Sequence, residues 1–358
     1  MMVRTALGVA GALAVLALVW RNVYADGVLG RLDRTPPMNA IDITGEGMSP
    51  LTRCQHCRRA FSERMSNVSS ELASHVMDSI SCGAPPRMST HPLIIGAGMG
   101  TTGTNSIAQA LCQLGFTTVH WVALGRSQAS EHHMAHAGGD GSGPGGAGAS
   151  ATPFRRVHES IELLNNSMTA LSPHQCNYLA DVVDWTVYDV LGAVIDFPLA
   201  NFWYDNWRAH PHAKVILTTR DPMEWAKKRV YHHSNAPYSL PPWPHPCGAK
   251  TTGLTEATIA EAFVAHNAFV RCIVPSDNLL EMDIFQDPGD GHWPRLAKFV
   301  GRPGHPATDE AFPHGLKKAM HGKWPARGRP PKGQGTKGRF APTEPCVFYR
   351  PPQHLEAD

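Results

Sequence analysis

Leu93-Ile94-Ile95-Gly96-Ala97-Gly98-Met99-Gly100-Thr101-Thr102-Gly103-Thr104-Asn105-Ser106 is the stretch on which the fold turns. It opens with a continuous apolar run and passes through a turn rich in glycine and hydroxyls. Ile107, Ala110, Leu111 and Leu114 then recur at helical spacing, with Gly115 as the stop. A strand, a glycine-rich turn and a helix in that order aim backbone N–H groups and a helix N-terminus at one point, where an anion such as phosphate binds. The plainer alternative is a tight strand–helix connection that binds nothing.

Outward from this turn the pattern repeats. Ala193-Val194-Ile195 reads as a buried strand, Lys214 to Thr219 as another, and Leu279 to Phe285 as the last. A helix over Thr258 to Ile273 keeps Ile259, Ala262, Phe263, His266 and Phe269 on one face, so His266 reads as a packed core histidine. Short β-rich runs alternating with helical patterns predict an α/β fold, a three-layer parallel sheet flanked by helices. The length offers two domains as a first prior, but the pattern places one α/β domain at residues 91–314. Residues 126–152 dissolve into Gly, Ser, Ala and His and read as a flexible insertion. His132, His133 and His136 lie there and read as solvated rather than as metal ligands. Residues 26–90 form a stem with one helix, Leu51 to Met77. Residues 315–358 form a basic Gly/Pro-rich tail.

Composition excludes several classes. With 358 residues the chain can bury a full core without metals or disulfides. A formal net charge of +2 argues against a dedicated nucleic-acid binder. The 33 Gly and 30 Pro exceed average usage without making a low-complexity chain. The uncharged run Ala6–Trp20, between Arg4 and Arg21, is the one candidate for membrane insertion. It fits a secretory signal peptide within residues 1–25, and equally an uncleaved signal anchor of a single-pass type II Golgi membrane protein. Either reading delivers the chain to an oxidising lumen. Sequons at Asn67 and Asn165 agree with that address. Of the eight cysteines, Cys54, Cys57 and Cys82 read as disulfide candidates, and a structural disulfide involving one of them is preferred to reading Cys54-Gln55-His56-Cys57 as half a zinc site or a redox motif. Cys112 and Cys272 fall in apolar helical patterns and read as buried free thiols.

Three kinds of anion site can be weighed for the turn. A nucleotide hydrolase or kinase loop needs Lys and Ser/Thr where this chain has Thr104 and Asn105, which disfavours a small-molecule kinase. Gly98, Gly100 and Gly103 satisfy the dinucleotide fingerprint, yet the region Thr117 to Val122 offers His120 and no ribose-binding carboxylate. The third kind is more specific. Gly103-Thr104-Asn105-Ser106 after a hydroxyl-rich turn resembles the 5′-phosphosulfate loop of the sulfotransferase superfamily. Asp196-Phe197-Pro198 and the segment His212 to Pro222, with Glu224 and Trp225, strengthen the resemblance. So do Leu279-Leu280, Trp293, Leu296, Phe299 and Phe312-Pro313.

The resemblance implies a P-loop-like α/β protein that uses 3′-phosphoadenosine 5′-phosphosulfate as cosubstrate and no metal. Gly100, Thr101, Thr102, Gly103, Thr104 and Asn105 would then hold the 5′-phosphate and the transferring group. Arg220 would grip the 3′-phosphate, with Asp221 as N-cap and Pro222 opening a helix. Asp196 occupies the place of the general base and His120 is the second candidate; the structural alternatives are a capping Asp and a hydrogen-bonded core His. Two departures stand out. The family loop usually carries Lys or Arg where this chain has Thr101, and Lys228 replaces an expected Ser. Lys228 or Lys227 could supply a cation from the other side. The implied acceptor is a hydroxyl or amine, on carbohydrate, with the N-terminal segment touching membrane and no nucleic acid bound. A catalytically impaired nucleotide- or glycan-binding protein is the alternative.

Overall fold

The computed structural model describes residues 48–85, 87–120, 153–170, 173–196, 198–232, 254–286, 291–305, 311–313 and 347–348. The apolar run Ala6–Trp20, the insertion 126–152 and nearly all of the basic tail lie outside them. Among the described residues no helix is long and apolar enough to cross a membrane.

In chain order the main elements are α1 (Pro50–Ser66), α2 (Ser70–Ser79), β1 (Ile94–Gly96), α3 (Thr104–Gln113), β2 (Thr118–His120), α4 (Pro153–Ala170) and α5 (Pro173–Val182). After them come β3 (Ala193–Ile195), α6 (Trp203–Ala209), β4 (Lys214–Thr218), α7 (Pro222–His232), α8 (Glu256–Ile273), β5 (Leu279–Met282), α9 (His292–Phe299) and β6 (Val347–Phe348). Five strands pair in the order β5-β4-β1-β3-β2, with the two-residue β6 beyond β2, and every pairing is parallel. The parallel sheet flanked by helices is the arrangement that the alternating pattern predicts.

Strand order places the functional end. The chain leaves β1, reaches β2 and β3 on one side, then crosses to β4 on the other. Such a reversal opens a crevice at the carboxyl ends of the strands. On one face Ile94, Ile195, Ile216 and Met282 pack with Ile107 and Leu111 of α3 and with Trp293 and Leu296 of α9. On the other face Ile95, Val194 and Val215 are buried, and α6 packs against β1. There Trp203 and Tyr204 meet Phe269 edge-on. Phe61 of α1 stacks on the same Phe269, with centroids 5.1 Å apart. His266 is fully buried in this layer and its Nε2 donates to Ala97 O at 2.9 Å, so it is the core histidine its position predicts.

Three expectations are corrected. The single helix Leu51 to Met77 is two, because the chain turns at Asn67, whose N–H closes α1 on Arg64 O and Met65 O. The last strand stops at Met282, since Asp283 Oδ1 accepts from Phe285 N and Gln286 N and bends the chain. Cys272 is no free thiol. It is bridged to Cys57, while Cys54 is bridged to Cys82. Cys112 is disulfide-bonded as well, and no free cysteine occurs among the described residues. Apolar periodicity reports burial only, and a disulfide is as compatible with burial as a thiol is.

Candidate active site

The loop after β1 is held by contacts that leave little room. Ala97 N donates to Ile216 O at 2.9 Å. At Gly98 the backbone runs so close to β4 that an added Cβ would collide with Thr218 Oγ1 and lie 2.7 Å from Thr218 N. Trp225 Nε1 of α7 donates to Gly100 O at 3.0 Å. Thr102 is fully buried: its N–H donates to Met99 O at 3.2 Å, and its hydroxyl bonds Met99 O and Thr218 Oγ1. Its hydroxyl therefore fixes the loop instead of facing a ligand. Gly103 is the N-cap of α3 with φ 95°, and as a glycine it offers the opening turn no capping side chain of its own. Thr101 sits at φ 72°, and its buried Oγ1 has no hydrogen-bond partner among the described residues. A β-branched residue in the left-handed region is strained, and such strain collects at functional sites.

Facing the loop is a pair of proton-carrying side chains. His120 ends β2 and lies opposite Ile195 of β3, which brings it beside the next residue, Asp196. His120 Nε2 is 3.2 Å from Asp196 Oδ2, both side chains being about one-seventh exposed (13 % and 14 %). The same Nε2 lies 3.4 Å from Thr104 Oγ1 at the start of α3. Asp196 is the second non-glycine residue with positive φ, at 68°. Its backbone O begins the next turn by accepting from Ala200 N at 2.7 Å, while its carboxylate Oδ2 lies against His120.

Arg220, just past β4, lays its guanidinium on Phe285, with Cζ 4.2 Å from the ring centre, and reaches Thr101 O at 3.5 Å. Asp221 Oδ1 accepts from Glu224 N at 2.8 Å and Pro222 opens α7, as their sequence predicts. Lys228 is exposed, and Lys227 pairs with Glu224 at 3.4 Å on the outer face of the helix. The buried cation of α7 is Arg229.

Among known families, the one described as the sulfotransferase domain matches residues 93–321. This chain belongs to the sulfotransferase family. No curated protein matches it individually. In this chain the family segment covers β1 to α9 and every candidate residue named above. The strand ends bring together Gly100, Thr101, Thr104, His120, Asp196 and Arg220. Asn105 is the second residue of α3, where its Oδ1 accepts from Gln109 at 3.1 Å, and Lys228 stays on the outside. No cluster of three or more His, Cys, Asp and Glu side chains suited to a metal ion occurs among the described residues.

Sequence reasoning passed over two residues that adjoin the candidate site, Phe285 and Arg229. Phe285 reads from sequence as the end of the last strand, whereas the strand stops at Met282 and the bend at Asp283 carries Phe285 to Arg220. Arg229 stands beside two lysines in an unbroken basic run, where composition cannot tell the inward residue from the outward ones. The available signal is spacing: Arg229 follows Trp225 by four positions, so it shares the face of α7 that touches Gly100.

Proposed function

We propose that this sulfotransferase moves a sulfuryl group from 3′-phosphoadenosine 5′-phosphosulfate to a hydroxyl or amine, on carbohydrate, within the secretory pathway. The observation that carries the reading is the convergence, at the carboxyl ends of β1, β2 and β3, of a helix N-terminus whose N-cap is a glycine and the His120–Asp196 pair. The residues suit the nucleotide: Thr101 Oγ1 is a buried hydroxyl awaiting a partner, and Arg220 holds its planar fork flat against Phe285.

When bound, the nucleotide supplies the sulfuryl group. The bond from sulfur to the bridging phosphate oxygen breaks, a bond to the acceptor's oxygen or nitrogen forms, and the acceptor proton leaves. Residues 103–105 would hold the 5′ end by N–H dipoles, and Arg220 the 3′-phosphate. The His120–Asp196 pair would take the proton, with Thr104 fixing the ring. Bridges at Cys54, Cys57, Cys82, Cys112 and Cys272 support an oxidising compartment. Attachment to a Golgi membrane rests on the segment Ala6–Trp20. A second reading, a nucleotide- or glycan-binding protein without transfer, is favoured by Thr101, since the loop carries no cation of its own.

Calorimetry on the full chain with 3′-phosphoadenosine 5′-phosphate, with ATP–magnesium as control, tests the donor. Binding of the first, weakened about 10–100-fold by Arg220→Ala, is expected. No heat with the wild-type chain or with Thr101→Lys would overturn the reading. A labelled-sulfate transfer screen on glycans then separates enzyme from binder.

A further inference from the structure

Residues 96–106 contain neither lysine nor arginine, so an anion held there meets only N–H dipoles and hydroxyls from the loop itself. A cation nevertheless lies against it. Arg229 is 8 % exposed, one helical turn beyond the Trp225 that bonds Gly100 O. A Cβ added to Gly100 would sit 3.0 Å from Arg229 Nη1 and 3.3 Å from Asp196 Oδ1. The guanidinium and the carboxylate therefore flank one point on the loop. Burial lowers the pKa of Arg229 to about 10 while the charge of Asp196 opposes the fall, and the group stays protonated at neutral pH.

Stability alone is a poor reason for this arrangement. A buried Arg–Asp interaction contributes little net stability, because well-packed apolar residues of similar volume often serve as well. The surroundings are also strained, since the two non-glycine residues of positive φ among the described residues, Thr101 and Asp196, both adjoin this guanidinium or its contacts. Charge, backbone strain and a carboxylate in contact with His120 coincide at one place.

We propose that Arg229 is the counter-charge for the anionic 5′ end bound by the loop, delivered from α7 instead of from position 101, and that it also fixes the Asp196 carboxylate toward His120. It is a positioning residue for Asp196 and an electrostatic partner of the bound phosphate. This proposal rests on the sulfotransferase reading above and removes the reason to regard Thr101 as a lost function.

The test is rescue. Affinity for 3′-phosphoadenosine 5′-phosphate is measured by calorimetry at two salt concentrations for the full wild-type chain, Arg229→Met, Arg229→Lys and Arg229→Met/Thr101→Arg, with thermal melting as the folding control. Arg229→Met is expected to weaken binding about 10–100-fold, as for loss of a charge-assisted contact. Arg229→Lys should weaken it less, and Thr101→Arg should restore most of the loss. If Arg229→Met does not fold, Arg229→Met/Asp196→Asn, with and without Thr101→Arg, replaces it in the same comparison. Wild-type affinity in Arg229→Met, or weak binding that Thr101→Arg leaves unchanged, overturns the proposal alone. Absence of binding by the wild-type chain overturns the donor reading and this proposal together.

Discussion

His120 Nε2 and Asp196 Oδ2 stand 3.2 Å apart although 76 positions separate them in the sequence, because β2 and β3 pair in parallel with His120 opposite Ile195. The contact joins the two residues into one unit. Asp196→Asn and His120→Asn should each lower sulfuryl transfer about 10²–10⁴-fold while nucleotide affinity changes little. The double variant should fall no further than the worse single one, since residues acting together are not additive. Transfer rates and nucleotide affinities of the three variants check this; independent, multiplying losses would contradict it.

Gly98→Ala should disrupt the loop. The new Cβ has no space beside Thr218, whose backbone N would be 2.7 Å away and cannot yield as a flexible side chain can. A loss of about 1–3 kcal/mol is expected, in the range for overpacking, together with loss of nucleotide binding. Urea unfolding and calorimetry on the same variant measure both effects.

Cys57→Ser with Cys272→Ser should destabilise the protein more than Cys54→Ser with Cys82→Ser. The first bridge spans 215 positions and ties α1 to α8; the second spans 28 and closes the local helical hairpin. Cross-linking distant positions removes more freedom from the unfolded chain, and losses of about 2–5 kcal/mol are usual for native bridges. Urea midpoints of the two double variants against wild type decide the order.

His266 should make stability fall in mild acid. Burial lowers its pKa to about 4, against the hydrogen bond to Ala97 O, which raises it. The unfolded chain protonates near 6.5, so between those values the unfolded state binds more protons. Stability from this group is full above about pH 6.5 and is lost as pH falls toward 4, by up to about 3 kcal/mol. His266→Gln should flatten that part of the profile, as read from urea midpoints at pH 7 and pH 5.

Much of this was legible along the chain. Leu93 to Ser106 identifies itself because an apolar run, a glycine-rich turn and a helical repeat have different periods. Asp221-Pro222 announces a helix start because capping is local chemistry. His266 reads as core because its neighbours at helical spacing are apolar. What escaped was pairing across distance. Cys272 looked like a thiol because its partner Cys57 lies 215 positions away, and periodicity carries no information on partners. Thr102 looked like a ligand group because a hydroxyl in a phosphate loop does so; only the approach of Thr218 turns it inward.

The sequence by itself determined the α/β class, the glycine-rich turn between strand and helix and the hydroxyl residues on it, since each depends on neighbours within a few positions. Tertiary structure decided which cation lies against the loop. Lys227, Lys228 and Arg229 are equivalent in composition, and the four-residue step from Trp225 to Arg229 becomes decisive only once α7 lies against Gly100 and Asp196. Helical phase selects the residue, and packing gives that phase its meaning.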